Sequence, residues 1–347
     1  MSNILSRSPY IKEITDANLE AGTIKIFLWT PGTSTPALPQ YTLSKLTPAS
    51  NVDSVFFDVA PYVNEYINNK NYSPNSFYDD IDLPVQNYCN VQLYYYKTVG
   101  GVTSLISSEG FYGFKGYLEQ KNSINTDNGN YLLDQAQTYY YHYDAVNFSH
   151  AGDVTAYLFS SYSIKYTDLK TGATHTISVA TTGWKKLYKV FNDYRSNGNY
   201  LEVYSGPTLL AIYIFRPITE CRYSPVTLDF VNKYGAWQRE FLFKNSIESI
   251  NVDSQQYKNY RVNPTTFDAQ ENLLTTFNTN GTESIKCNTG FVDESFSKIL
   301  QQLLLSDRIL INNRPATITT KQVELQKNIN NKLINYSLDF QFSNSII

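Results

Sequence analysis

The chain contains 347 residues, of which 42% are hydrophobic and 17% charged, and its net charge at pH 7 is −3. This length exceeds what one hydrophobic core usually covers and predicts two or three domains, while the composition excludes a disordered chain. No Lys/Arg cluster stands out, so we expect no nucleic-acid binding. The 30 Tyr and 19 Phe residues are unusually many, and they favour strands and subunit interfaces.

The cysteines and the N-terminal sequence set expectations about compartment and membranes. Cys89, Cys221 and Cys287 are odd in number, far apart and without C-x-x-C spacing. We therefore expect three reduced, mostly buried thiols instead of disulfides or a zinc site. The first residues, MSNILSRSPYIKEI, have no apolar signal core, and no stretch approaches 18 uninterrupted apolar residues. We expect a protein made in the cytoplasm without a signal peptide, and no span across a membrane.

Residues 1–119 are predicted to form an N-terminal β-sandwich. TIKIFL alternates apolar and other side chains with the two-residue period of a half-buried strand. A short helix is predicted in SVFFDVAPYVNEYINNK, with Pro61 in its first turn and Asp58 as a cap. Further on, YCNVQLYYYKTVGGVTSLISSEGFYGF predicts two strands that are joined by a turn at Gly100-Gly101.

Residues 120–220 are predicted to form a middle β-sandwich. The polar, Asn-rich stretch 120–130 indicates a domain boundary or an exposed loop. Beyond it, short strand candidates recur about every ten residues with few helices between them, which is typical of sandwich modules. One strand pair is predicted around Ser205-Gly206-Pro207. No short-period repeat is evident, although the sandwich rhythm recurs loosely along the chain.

Residues 221–347 are predicted to form a C-terminal β domain with a packed helix. VTLDFVNKYGAWQREFLF predicts a hairpin, in which Gly235 is free to adopt positive φ. A helix is predicted from Asp293 to Leu305, with Asp293 as its N-cap. The final strand is predicted in KLINYSLDFQFSNSII, and its apolar face needs a cover that the helix can supply. The apolar stripe of the helix comprises Phe296, Ile299, Leu300, Leu303 and Leu304, and the apolar face of the strand comprises Ile334, Tyr336, Leu338, Phe340 and Phe342.

These segments together predict a mainly β fold. We expect several antiparallel β-sandwiches of the immunoglobulin or fibronectin kind, with one or two short helices.

The chain offers little for nucleophilic or metal chemistry. No G-x-S-x-G elbow occurs, and the histidines, His142, His150 and His175, lie in one middle region away from two of the cysteines. Asp79, Asp80 and Asp82 crowd together in YDDIDLP, but the spacing does not match an EF-hand loop, and a solvated loop is favoured over a calcium site. We expect no catalytic, cofactor-binding or metal-binding residues, and therefore no enzyme.

Glycine and aromatic clusters are also interpreted as structural. Gly110, Gly113 and Gly116 match neither phosphate-binding pattern, so a bent or bulged strand is favoured. The triplets Tyr94-Tyr95-Tyr96 and Tyr139-Tyr140-Tyr141 spread over both faces of a strand, which favours packing or subunit contact over a sugar-binding platform.

Trp237 and Arg239 raise the same choice between a site and a scaffold. They stand in KYGAWQREF, where a cation–π clamp is the functional interpretation. We expect instead that Trp237 anchors a sandwich core and that Arg239 pairs locally or at an interface.

Three stretches are similar to known sequences: SVFFDVAPYVNEYINN (54–69), TECRYSPVTLDFVNKYGAWQREFLF (219–243) and CNTGFVDESFSKILQQLLLSDRILI (287–311). They resemble structural proteins of bacteriophages that infect Bacteroidota, in particular the crAss-like phages. The resemblance implies a virion component with β-sandwich domains, a ring-forming protein of the neck or tail between portal and tail. It implies as partners copies of the same chain and the neighbouring portal, ring or tail proteins, and it brings no active-site residues.

Two other classes of function stay open. A tail adhesin or carbohydrate-binding sandwich that recognises host surface glycan predicts an exposed aromatic platform. A glycan-degrading enzyme predicts two carboxylates that face each other in a cleft, although no residue pair in the sequence is nominated for that role.

Overall fold

The computed structural model of the chain describes residues 2–47, 53–67, 88–118, 140–144, 155–186, 197–218, 224–235, 237–258, 274–325 and 334–345. Over these residues the fold is mainly β, with several antiparallel sheets and two short helices. This confirms the predicted fold class. Two of the strand pairs are parallel, which the sequence did not predict.

The first unit is a two-sheet sandwich with one helix. Its strands are β1 (Ser2–Leu5), β2 (Ile11–Thr15), β3 (Ala21–Trp29), β4 (Tyr41–Leu46), β5 (Ser54–Asp58), β6 (Tyr88–Val99) and β7 (Val102–Phe114), and its helix is α1 (Ala60–Ile67). One sheet has the order β1-β7-β6-β3-β4 and the other pairs β2 with β5. The predicted alternation is confirmed in β3, where Ile24, Ile26 and Leu28 are buried. The turn between β6 and β7 has positive φ at Gly100 and Gly101, as a tight hairpin turn requires.

Helix α1 begins where the sequence predicts and packs against β7. Asp58 Oδ1 accepts a hydrogen bond from the Ala60 amide at 3.1 Å, which confirms Asp58 as a cap. Val63 is fully buried, and a Cβ atom at Gly113 would lie 2.3 Å from its Cγ1 atom. Glycine at position 113 therefore lets the helix approach the sheet closely.

The second unit repeats the topology of the first. Its strands are β8 (Tyr140–Asp144), β9 (Thr155–Leu158), β10 (Tyr162–Asp168), β11 (Thr174–Ser178), β12 (Gly183–Lys186), β13 (Asn199–Ser205) and β14 (Thr208–Ile218). The five-stranded sheet has the order β11-β10-β13-β14-β8, and the two-stranded sheet pairs β12 with β9. The first strand of each unit pairs in parallel with the last, and each strand of the second unit has the position of its counterpart in the first. The described part of the chain therefore contains two consecutive immunoglobulin-like sandwiches of one topology.

The third unit is built on one antiparallel sheet. Its strands are β15 (Val226–Val231), β16 (Trp237–Leu242), β17 (Ile247–Lys258), β18 (Leu274–Asn288), β19 (Ile309–Ile311), β20 (Arg314–Ile318) and β21 (Ser337–Ser345), and its helix is α2 (Phe296–Leu304). The strand order is β16-β15-β19-β20-β21-β18-β17. Strands β15 and β16 form the predicted hairpin, and Gly235 in its turn has a φ of 85°.

Four residues of the α2 stripe are buried and Leu304 is partly buried, while the predicted N-cap is wrong. Phe296 packs on Tyr336 with their ring centroids 6.5 Å apart, and the five apolar residues predicted for the last strand are all buried. This confirms that the helix covers the sheet that includes the final strand. Ser295, not Asp293, occupies the N-cap, and it makes no side-chain capping bond. The Asp293 carbonyl instead accepts the Phe296 amide at 3.0 Å, so a backbone turn precedes the helix.

The three units pack against one another. Buried residues of the second and third units form one continuous hydrophobic cluster. A smaller cluster of Leu5, Phe114 and Tyr157 joins the first unit to the second. No described sheet crosses the boundaries predicted near 120 and 221. The residues around those boundaries lie outside the described ranges, so the boundaries themselves stay predictions.

Candidate interaction surface

A long hairpin projects from the edge of the third unit's sheet. Strand β17 pairs with β18 along its whole length, whereas β21 covers only residues 282–288 on the other side of β18. Within the described residues, 274–281 of β18 and the opposite residues 252–258 of β17 therefore form a two-stranded projection. We call β17 together with residues 274–281 the arm.

The arm exposes apolar side chains on an element that has little support of its own. All twelve residues of β17 are exposed, with Ile250 at 62% and Val252 at 64%. Tyr257 and Phe277 contact each other across the hairpin, with ring centroids 5.7 Å apart, and both are about half exposed. An isolated two-stranded hairpin is marginally stable in water, and its exposed apolar side chains are available for contact with a partner. The arm is therefore the strongest interaction surface among the described residues.

A groove opens between the two sheets of the first sandwich. It has a volume of about 510 Å³ and is lined by Lys12–Thr15 of β2, Tyr95 of β6 and Ile106–Glu109 of β7. We call this feature the groove. Lys12 Nζ lies 2.7 Å from Glu109 Oε1, so an ion pair links the two walls. Tyr95 donates a hydrogen bond to the same carboxylate oxygen, and burial together with this bond raises the pKa of Tyr95 well above its usual value. Lys12, Tyr95 and Glu109 are thus held together by their own contacts within the groove. Ile106 is an exposed apolar residue beside them.

The first unit is also tied directly to the third. Lys115 is buried and its Nζ lies 2.9 Å from Asp307 Oδ2, while burial lowers the pKa of this lysine. Arg7 Nη2 donates to the Leu305 carbonyl oxygen at 2.9 Å. The backbone at Gly116 runs so close to the third unit that a Cβ atom there would lie 2.4 Å from the Lys233 carbonyl oxygen. These contacts hold the first sandwich on the unit that carries the arm.

The hairpin that contains Trp237 and Arg239 is a scaffold. Trp237 is 7% exposed, which confirms that it is buried in the core. Arg239 pairs with Asp229 on the adjacent strand, at 2.6 Å from Nε to Oδ1 and 2.8 Å from Nη2 to Oδ2. These distances confirm that Arg239 pairs locally. Both residues are buried.

Glu240 is an acidic side chain buried in the same hairpin. It accepts a hydrogen bond from Gln238 Nε2 at 2.7 Å. Burial raises the pKa of Glu240 to about 8, and the bond from Gln238 opposes this shift. The side chain of Glu240 therefore carries its proton at neutral pH for most of the time.

The sequence predicts three reduced, mostly buried thiols, and two of them lie among the described residues. Cys89 and Cys287 are both buried. Burial raises the pKa of Cys287 to about 12, so the reactive thiolate is rare. Cys221 lies outside the described residues.

The other residues weighed for chemistry are described only in part. His175 is half-buried on β11, whereas the side chains of His142 and His150 lie outside the described residues, as do Asp79, Asp80 and Asp82. No group of three or more His, Cys, Asp or Glu side chains suited to a metal occurs among the described residues. The described helices include none that is long and apolar enough to cross a membrane.

The glycine and tyrosine clusters have packing roles. Gly113 and Gly116 permit the close approaches described above, while the bulge in β7 falls at Ile106, between the partners of Tyr95 and Tyr96. Tyr95 is buried on the inner face of β6, and Tyr94 contacts Phe27 on the outer face with ring centroids 5.3 Å apart. This confirms that the first triplet spreads over both faces. The triplet at 139–141 has no described side chains.

Sequence reasoning missed the arm and the groove. The signal for the arm was a long run, IESINVDSQQYK, without Gly or Pro and without a continuous apolar face. Such a run is typical of a strand with no buried side.

A comparison with protein-family models, with curated proteins and with solved structures finds no match for this chain.

Proposed function

We propose that the chain is a non-enzymatic structural protein of a bacteriophage virion. In this proposal it is a ring-forming subunit of the neck or tail that connects portal to tail in a crAss-like phage. The observation that carries the proposal is the arm, an exposed hairpin with several apolar side chains that is attached to an otherwise well-packed body. Such an element is stabilised when a partner covers it. In an assembly of identical subunits, each subunit has another copy beside it as that partner.

The rest of the architecture is compatible with an assembly role. The two sandwiches of one topology and the third unit's sheet pack together, so neighbouring subunits would meet a well-packed surface. Rings need contacts between two different surfaces of the same chain, because a self-complementary surface closes a dimer instead. We propose that the partners are copies of this chain and the adjoining portal, ring or tail proteins, and that the protein resides in the virion.

The proposal is tested by assembly of the full chain. Native mass spectrometry and electron microscopy are carried out over a range of concentrations, with and without the portal-side and tail-side proteins of the same virion. The expected result is a closed ring or a complex with these neighbours. Replacement Val252→Asp in the arm is expected to weaken assembly, whereas Leu38→Asp, at a residue that is 77% exposed in the first unit, is not. A folded chain that stays monomeric under all these conditions contradicts the proposal.

A second candidate, a tail adhesin that binds host surface glycan, is favoured by one observation. Tyr257 and Phe277 are half exposed on the arm and offer aromatic faces to solvent. Their rings are inclined by 58°, so they do not form the flat platform on which successive sugar rings stack. Binding of host surface polysaccharide that is lost in Tyr257→Ala, together with an unchanged monomeric state, would favour this candidate.

A further inference from the structure

The groove of the first sandwich is bounded by two free strand edges. Strand β7 pairs with β6 over its whole length, but on its other side β1 covers only residues 111–114. Within the described part of the chain, residues 102–110 therefore have no strand on that side. Strand β2 pairs with β5 on one side only, and no described strand pairs with its other side. Both walls of the groove thus present backbone N–H and C=O groups that no described strand pairs with.

The free edge of β7 has none of the side chains that usually protect an edge. Residues 102–110 read VTSLISSEG, which contains neither Lys nor Pro, and their one charged side chain, Glu109, is paired with Lys12. Val102, Leu105 and Ile106 are each about half exposed or more. The bulge at Ile106 is the single irregular feature of this edge. An edge that has neither Lys nor Pro and is flanked by apolar side chains is a template for addition of another strand.

The arm carries a matching edge. Strand β17 is the last strand of its sheet among the described residues, and no described strand pairs with its outer edge. It contains no Pro, and its one Lys is the last residue, Lys258. The register is regular over residues 247–253, before the irregularity at Ser254. That segment is about 24 Å long, against about 30 Å for residues 102–110 of β7.

We propose that β17 of one copy adds as a strand to the free edge of β7 in the groove of the next copy. The inference rests on the proposed function and names the contact through which the subunits assemble. A second copy is the occupant that the chain itself favours, because every copy carries both the donor and the acceptor edge. The two edges are different surfaces, so each copy donates once and accepts once, and the contacts continue around a ring. Backbone hydrogen bonds supply affinity, and Ile250 and Val252 supply apolar contact.

A mixing experiment with the full chain tests this pairing. Variant Ile106→Asp has an altered groove and an intact arm, while Val252→Asp has an altered arm and an intact groove. Each alone is expected to need at least about tenfold more protein than Leu38→Asp to assemble, since each removes an apolar contact at the interface. Mixed at a concentration where both are monomeric, they are expected to form a heterodimer in native mass spectra. The heterodimer does not grow, because its remaining groove and its remaining arm are the altered ones.

Hydrogen exchange of the unmodified protein gives a second measurement, which does not depend on whether the variants fold. Assembly is expected to slow amide exchange in peptides that cover residues 102–110 and 247–253. If assembly protects the arm but not residues 102–110, and the mixed variants stay monomeric, the arm docks elsewhere; the inference is then wrong while the proposed function stands. If the chain never assembles, both are wrong. Protection of residues 102–110 by host polysaccharide, but not by assembly, would make the groove a glycan site and also overturn the inference.

Discussion

Arg239 and Asp229 form a buried, bidentate ion pair across the β15–β16 hairpin. Nε and Nη2 of Arg239 donate to the two carboxylate oxygens at 2.6 and 2.8 Å, and the two residues are register partners. The side chain of Arg239 is 4% exposed and that of Asp229 is 2% exposed. A charge that is taken out of water needs a partner in good geometry, and here the partner comes from the adjacent strand. The pair therefore fixes the hairpin internally and belongs to the scaffold.

Loss of one partner of this pair is expected to be costly. Asp229→Ala leaves the Arg239 charge buried without its carboxylate, and we expect the free energy of unfolding to fall by about 3–5 kcal/mol. Urea unfolding of the full chain, followed by circular dichroism, measures this change. The double replacement Asp229→Leu with Arg239→Met is the matched control, because it removes both charges and keeps apolar volume. We expect it to be close to the parent in stability; an equally large loss in both variants would show that packing, not charge, dominates.

Trp237→Ala is expected to lower the free energy of unfolding by about 3–5 kcal/mol, the range for deletion of a buried large aromatic side chain. The reason is that Trp237 is only 7% exposed and lies in the hairpin at one end of the third unit's seven-stranded sheet. Leu38→Ala, at an exposed position, serves as the control and should change stability by less than about 0.5 kcal/mol. A loss at Trp237 as small as that at Leu38 would contradict a core role.

Much of the fold was predictable where one face of an element is buried and the other is not. The alternation of Ile24, Ile26 and Leu28 predicted β3, and the spacing of Phe296 and Ile299 along their stripe predicted α2. In both cases local sequence and tertiary burial agree, so the period is visible in the sequence. The N-cap was misassigned because a turn at the Asp293 carbonyl delays the helix, and a single cap residue is a weak local signal.

The repeated topology and the interaction surfaces could not be predicted in this way. Strand order depends on pairings between distant segments, such as β1 with β7, which leave no periodic mark on either segment. The groove exists because the pairing of β1 with β7 begins at Ser2 and Phe111, so no described strand covers residues 102–110 on that side. This is a long-range feature of the same kind. The arm has no buried face, so it has no alternation by which to be recognised.

Gly116→Ala is expected to loosen the contact between the first and third units. The added Cβ atom would lie 2.4 Å from the Lys233 carbonyl oxygen and 2.9 Å from the Leu5 side chain, so the backbones must separate. We expect a loss of about 1–3 kcal/mol, the usual cost of overpacking, measured by urea unfolding. Gly110→Ala, in strand β7, is the matched control, since its closest contact is the flexible side-chain amide of Gln92. Equal effects at the two glycines would contradict a close junction at Gly116.

Glu240→Gln is expected to stabilise the protein in a pH-dependent way. Burial raises the pKa of Glu240 to about 8 in the folded chain, from a value near 4.5 when unfolded. The folded state therefore holds a proton that the unfolded state releases between these values, and stability falls as pH rises from about 4.5 to about 8. The glutamine variant lacks this fall, because its amide cannot ionise. We expect it to exceed the parent by at least about 1 kcal/mol at pH 8 and to match it at pH 4, since one pKa unit corresponds to about 1.4 kcal/mol.

Chemical unfolding of parent and variant at intervals between pH 4 and pH 9 measures this difference. Glu248→Gln is the control, because Glu248 is an exposed carboxylate on the arm. Its replacement therefore removes no desolvation cost. The informative quantity is the slope with pH, since a packing change at position 240 would shift stability equally at every pH. A parent and a Glu240→Gln variant that run parallel over the whole range would show that Glu240 ionises in the folded protein without a desolvation penalty. Convergence of the two below pH 5, with separation towards pH 8, is the result that a buried, protonated Glu240 requires.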